Sequence, residues 1–154
     1  MQAQLKFIAA TEDHVDTLLP LMREYYDFDG IRFDEAKARR ALTGFLQSDQ
    51  FGKAWIVEQG SDTAGYIVIT YDYGLESGGR EAFIDELYLR EAFRGLGIGR
   101  KTIEFVERYC TANGIGALLL GVEPDNTAAQ AFYRKVGFQD RRLQLMTKRI
   151  PSKP

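Results

Sequence analysis

Three observations predict a mixed α/β fold, with a mostly antiparallel sheet, one central parallel strand-helix-strand crossover and helices on both faces. Early in the chain apolar residues recur with a helical period. In the middle they recur with a period of two. Then a glycine-rich turn, a second helical pattern and the all-apolar run "ALLLGV" follow one another closely.

The elements follow in order. "QLKFIAA" reads as a short strand. Thr11 caps a helix that carries Val15, Leu18, Leu19 and Met22 on one stripe, and Asp34 caps another with Ala38, Ala41, Leu42 and Phe45. "AWIVE" and "AGYIVITY" flank the turn-rich "QGSDT" as a hairpin, and "AFIDELYL" follows the loop "YGLESGGRE". A helix from about Gly99 to Asn113 stops at "NG". "ALLLGV" is apolar on both alternating sets, as a strand covered on both faces should be, and completes the parallel crossover. "EPDNTAAQAFYRKVGF" supplies an Asn126 or Asp125 cap, a short helix and a Gly137 stop; "FQDRRLQLMTKRI" supplies one bent strand or two short ones. The four prolines are expected in loops or at the termini. The order is β-α-α-β-β-β-α-β-α-β(-β), a single domain over residues 1–150 with a short tail at 151–154.

Composition removes several classes of function. With Cys110 the only cysteine and His14 the only histidine, neither an internal disulfide nor a metal site built on thiolates or paired imidazoles is expected. Cys110 shares a helical stripe with Ile103 and Val106 and is expected to be packed. The apolar runs fall far short of the ~20 residues that cross a bilayer, and the N-terminus lacks the basic start and apolar stretch of a leader, so the reading is soluble and cytoplasmic. The net charge of −2 argues against nucleic acid. Its distribution is uneven: residues 1–77 hold 13 acids and 7 bases, residues 78–154 hold 9 acids and 13 bases. That split suits an anion held by the second half and a cation held partly by the first.

"AFRGLGIGRKT", Ala92 to Thr102, is the expected anion site. Its glycines free the backbone, and the helix start behind them offers unpaired N–H groups. The dinucleotide fingerprint G-x-G-x-x-G fails, because Arg100 or Thr102 stands where its last glycine belongs; the P-loop fails because Arg100 replaces the glycine before "KT". Arg94, Gly97 and Gly99 instead satisfy R-x-x-G-x-G. Here the sequence resembles the GNAT superfamily of acyl-CoA-dependent N-acetyltransferases. "IDELYLREAFRGLGIGRK" is similar to that family's strand, pyrophosphate loop and helix, and "GVEPDNTAAQAFYRKVGF" to its next block, in the same order and at the same spacing.

The resemblance implies acetyl-CoA as co-substrate, no metal, and direct transfer to a primary amine of unidentified structure. It places the pyrophosphate on the backbone from Arg94 through Gly95, Leu96, Gly97, Ile98 and Gly99 to Arg100, with Asn126 as a carrier contact or a helix cap. It pairs the pantetheine arm with Leu87, Tyr88 and Leu89. An alkylamine of pKa ~10.4 is held neutral at pH 7 only at about 4.6 kcal/mol, so a base is useful. Asp85 and Glu86 both qualify; strand alternation sends them to opposite faces, so one of them serves, with Glu86 the longer in reach. Tyr133 matches the family tyrosine that protonates the leaving thiolate, and it projects away from the stripe of Phe132, Ala128, Ala129 and Val136. "REYYDFDGIRFD" links the first two helices and borders the acceptor in the family; Tyr25, Tyr26, Asp27 and Phe28, with Asp29 nearby, mix rings and acids that suit an amine cation or an ordinary surface loop. Tyr71 and Tyr73 are candidates for a further wall. A homodimer fits the strand-rich C-terminus and the family's habits. The alternative reading is a CoA-binding sensor or interaction module that keeps the fold without turnover.

Overall fold

The computed structural model describes residues 3–153. The chain divides into two compact units, one ending at Gly121 and the other beginning at Val122.

The first unit is built on a five-stranded sheet in the order β1(Leu5–Ala9), β2(Gly52–Gln59), β3(Asp62–Gly74), β4(Gly79–Leu89), β5(Ala117–Leu120). The first three junctions are antiparallel and the last, between β4 and β5, is parallel. Helices α1(Val15–Phe28) and α2(Glu35–Leu46) cover one face. Val15, Leu18, Leu19, Met22, Ala38 and Leu42 pack there on Ala54, Ile56, Tyr66 and Val68. Helix α3(Ile98–Ala112) serves the other face. Its Phe105 stacks on Phe7 at 4.3 Å and meets Trp55 edge-on at 5.3 Å, and Ile103, Val106 and Cys110 are buried. The expected packed thiol is therefore observed. Caps behave as the residue types dictate: Asp34 Oδ1 accepts from the Lys37 amide at 3.1 Å, and the Thr11 amide donates to His14 Nδ1 at 2.9 Å in the 3₁₀ turn Glu12–His14 before α1.

Three expectations are corrected within this unit. Pro20 lies inside α1 rather than in a loop. It is tolerated because both Pro20 and Asp16, whose carbonyl loses its helical donor, are exposed to water. The link between α1 and α2 is shorter than read, because the helix continues through Tyr25, Tyr26, Asp27 and Phe28. The hairpin strands are also longer than read, so that Arg80 and Glu81 belong to β4 and pair with Tyr73 and Asp72.

The second unit contains α4(Thr127–Lys135) as its one regular element among the described residues. Asn126 caps it, with Oδ1 accepting from the Ala129 amide at 3.1 Å, and Arg134 grips Asp140 through two nitrogens at 2.8 and 2.9 Å. The strand or strands expected over residues 138–150 are not formed. Leu143, Leu145, Met146 and Ile150 are exposed by 71–88%. A strand needs a neighbouring strand for its backbone groups, and this unit offers only a helix.

Candidate active site

The glycine stretch forms the turn between β4 and α3. After a 3₁₀ turn, Glu91–Phe93, the backbone takes left-handed conformations at Gly95 (φ 72°) and Gly97 (φ 79°), and α3 starts at Ile98. No atom lies within 4 Å of a Cβ built at either glycine, so conformation rather than crowding demands them. The first helical bond runs from the Lys101 amide to the Gly97 carbonyl at 3.1 Å. The amides of Ile98, Gly99 and Arg100 precede it in the first turn, where helical N–H groups lack an intrahelical acceptor. The Ile98 side chain is buried with Val57 and Ala64, anchoring the turn to the sheet, whereas Leu96 is exposed. Thr102, the threonine of the rejected P-loop pattern, is fully buried and donates to the Ile98 carbonyl at 2.8 Å.

The side chains of both arginines have partners of their own. Arg94 lies 4.4 Å over the Phe28 ring and 5.7 Å from the Tyr88 ring, and its Nε donates to the Leu89 carbonyl at 2.8 Å. Arg100 pairs along its own helix with Glu104 at 3.3 Å.

The strand leading into the turn has an open edge. The β4–β5 ladder runs from Glu81 to Ile84 and goes no further, so Asp85, Glu86, Leu87, Tyr88 and Leu89 lie beyond the reach of β5. On the other side β4 keeps its pairing with β3, but with a shift: Val68 faces Glu86 and Ile69 faces Ile84, leaving Asp85 as the extra residue of a β-bulge. Paired residues share a face. Glu86 therefore joins Val68, Tyr66 and Tyr88 on the face of α1 and α2, whereas simple alternation puts it with Ile84 on the face of α3. Close approach of the strands is enforced at Gly65, where a Cβ would stand 1.9 Å from the Tyr88 carbonyl oxygen.

Glu86 is held by two phenols. Tyr66 Oη donates to Oε1 at 2.6 Å and Tyr26 Oη donates to Oε2 at 2.7 Å. Burial pushes the Glu86 carboxyl above the ordinary carboxylate range and neighbouring Asp85 adds to the effect, while the two hydrogen bonds pull it back. Asp85, exposed at the bulge, is also shifted upward by partial loss of its water. Both phenols are driven well above their usual titration by burial and by Glu86, so they remain donors at every working pH.

Of the acceptor-side residues read from sequence, the structure brings Tyr26 onto Glu86, sets Tyr25 5.7 Å from Tyr26 and 5.9 Å from Tyr88, and places Phe28 under Arg94. Asp27 is exposed on the last turn of α1. Tyr71 does not join them. It lies on the α3 face, bonded to the Tyr109 hydroxyl at 2.5 Å with Arg80 over its ring. Tyr66 and Phe33, which meets Tyr26 edge-on at 5.5 Å, escaped the sequence reading. A signal for Tyr66 existed: a phenol at an inward position of an apolar strand must find a polar partner. In the second unit Tyr133 packs against Phe132 at 5.2 Å and Phe138 at 5.6 Å, so its ring is partly enclosed rather than wholly projected.

Known proteins resemble the chain in sequence and fold. The family model for the acetyltransferase (GNAT) family matches residues 16–138. The thialysine N-epsilon-acetyltransferase of Bos taurus is 28% identical over 144 residues, covering 85% of this chain and 82% of the relative. An integron cassette protein from the mobile metagenome of Cole Harbour salt marsh superposes with a TM-score of 0.83 at 27% identity, over 96% of this chain and 91% of that one. The aminoglycoside N-acetyltransferase AAC(6')-Iy, in complex with CoA, has the same fold at a TM-score of 0.81 and 18% identity, over 96% and 97% of the two chains. The family match takes in the bulged strand, the glycine turn and the short helix after Asn126, and by it the chain belongs to the acetyltransferase (GNAT) family.

Proposed function

We propose that the protein is an acetyl-CoA-dependent N-acetyltransferase that passes the acetyl group directly to a small cationic primary amine. One observation carries the reading of the acceptor side: a carboxylate shifted upward by burial, ringed by Tyr25, Tyr26, Tyr66 and Tyr88, next to the open edge of β4 and one short turn before the glycine loop. Rings and an anion together suit an ammonium group. A carboxylate with a raised pKa is a stronger base than an ordinary one. The relative named for thialysine and the CoA-bound neighbour named for aminoglycosides support an amine acceptor.

In this reading Glu86 takes a proton from the bound ammonium, directly or through water, and Asp85 is the second carboxylate at the bulge. The freed nitrogen attacks the thioester carbonyl, the C–S bond breaks, Tyr133 gives its proton to the departing thiolate, and the extra proton still on the attacking nitrogen passes to the Tyr133 phenolate or to water. The products are an N-substituted acetamide and the CoA thiol. Backbone amides of Leu96 to Arg100 receive the pyrophosphate, and Leu87 to Leu89 extend the sheet to the pantetheine arm. Both compact units belong to one domain in this reading, because the family match runs continuously across Gly121 and Val122.

The test is thiol release from acetyl-CoA with a panel of polyamines, aminoglycosides, amino-acid derivatives and peptides, together with amide exchange. CoA should protect the amides of Gly97 to Arg100. Protection without thiol release from any amine would favour a CoA-binding module instead, and absence of protection at saturating CoA would overturn the donor assignment.

A further inference from the structure

The two phenols on Glu86 differ in freedom. Tyr66 sits in β3 with no exposed surface, directly across the ladder from Tyr88, and cannot leave Oε1 without disturbing the sheet. Tyr26 is partly exposed on the last turn of α1, where the Ile31 amide bonds its carbonyl at 2.8 Å as the chain turns toward α2. Its ring is held edge-on by Tyr25 and Phe33. A carboxylate offers about four acceptor positions, so two bonds still leave room for an N–H donor.

We propose that Tyr66 and Tyr26 are positioning residues for Glu86, with Tyr66 the fixed brace on Oε1 and Tyr26 the outer, exchangeable partner on Oε2. The proposal rests on the reading of Glu86 as the base. Tyr66 sets where the carboxylate points and how tightly it holds a proton. Tyr26, itself partly exposed, holds Oε2 until an incoming ammonium donates in its place, which links the end of α1 to the state of the base. The titratable groups acting on Glu86 are Tyr66 from β3, Tyr26 from α1 and Asp85 on its own strand; Tyr25 and Tyr88 complete the ring wall. Removing a hydroxyl that stabilises the ionised form must raise the pH at which Glu86 titrates.

The experiment follows the Glu86 carboxyl directly in the full chain by ¹³C NMR with labelled glutamate, its resonance assigned as the one lost in Glu86→Gln. Tyr66→Phe should raise the titration midpoint by about one pH unit, on the scale of a lost hydrogen bond to a buried charge, and Tyr26→Phe by clearly less. The acidic limb of kcat/KM should move upward by the same amounts, and Tyr26→Phe should lower kcat with little rise in the KM for the amine. A midpoint unmoved by Tyr66→Phe in a chain that melts like the parent overturns the brace, and an equal or larger shift from Tyr26→Phe overturns the division of roles. Should Tyr66→Phe fold poorly, uniform 3-fluorotyrosine labelling, which makes the phenols stronger donors, should shift the midpoint downward instead. No downward movement overturns the proposal. Because the titration needs no substrate, a chain that braces Glu86 as described yet acetylates nothing would refute the proposed function and leave the brace standing.

Discussion

In the proposed function, the donor turn and the acceptor wall are built on opposite plans. From Gly95 to Arg100 the turn offers backbone: two left-handed glycines, a buried Ile98 anchor and the first amides of α3, with the charged side chains of Arg94 and Arg100 engaged elsewhere. Around Glu86 the surface is side chain throughout, assembled from α1, β3 and β4 by residues 20 and 60 positions away in the chain. A backbone surface suits a donor whose pyrophosphate asks only for N–H groups. A side-chain surface can be retuned, residue by residue, for one acceptor. The difference teaches that substitutions in the turn should act through conformation, and those in the wall through chemistry.

The contrast breaks most visibly at Glu86. Glu86→Gln should lower kcat/KM about 10²–10⁴-fold, the usual share of general base catalysis, with CoA affinity unchanged by calorimetry. Stability gives an independent sign. A carboxyl whose folded pKa lies above its unfolded value binds more protons when folded, so its contribution is favourable at low pH and lost as pH rises from the unfolded to the folded titration. The melting temperature of Glu86→Gln should therefore gain on the parent across that window; a constant difference would mean that Glu86 is not desolvated. Gly65→Ala tests the support of the wall: with a Cβ 1.9 Å from the Tyr88 carbonyl, β3 and β4 must part, and denaturant unfolding should register a loss of about 3 kcal/mol.

Smaller effects sharpen the donor half. Gly97→Ala meets open space but an unfavourable φ of 79°, so about 1–2 kcal/mol of stability and a weaker CoA Kd should be lost together. Arg94→Ala removes the contact that spans the two regions, from the turn to Phe28 and Tyr88. At an exposed site that contact is worth about 0.5–1 kcal/mol, to be read as a rise in the amine KM exceeding any change in CoA affinity. Equal changes in both would reassign Arg94 to the pyrophosphate.

The glycine turn was legible in the sequence because its signal is local. A turn that needs left-handed residues must display glycines at fixed offsets from the helix they precede, and Gly95 and Gly97 do so. Glu86 was legible as a candidate through its neighbours, but its face was not: alternation counts residues, and the bulge at Asp85 changes the count. Tyr66 hid in an apolar strand, its purpose given only by a carboxylate 20 residues on. Tyr71 misled for the same reason in reverse, since its distance in sequence from α3 concealed the bond to Tyr109. Pro20 was misplaced because a composition rule cannot see that the carbonyl it deprives is wet. The alternating residues beyond Phe138 carried a strand pattern without a partner strand in their unit.

The bulge at Asp85 makes the candidate base depend on parity. Were Asp85 to take a regular place opposite Val68, Glu86 would fall opposite Ile67; the carboxylate would then point toward α3, the tyrosines would lose it, and every atom of Glu86 would still be present. The site is thus specified by an odd number as much as by an acid. A deletion of Asp85, by contrast, should keep Glu86 opposite Val68, on the face of its tyrosines.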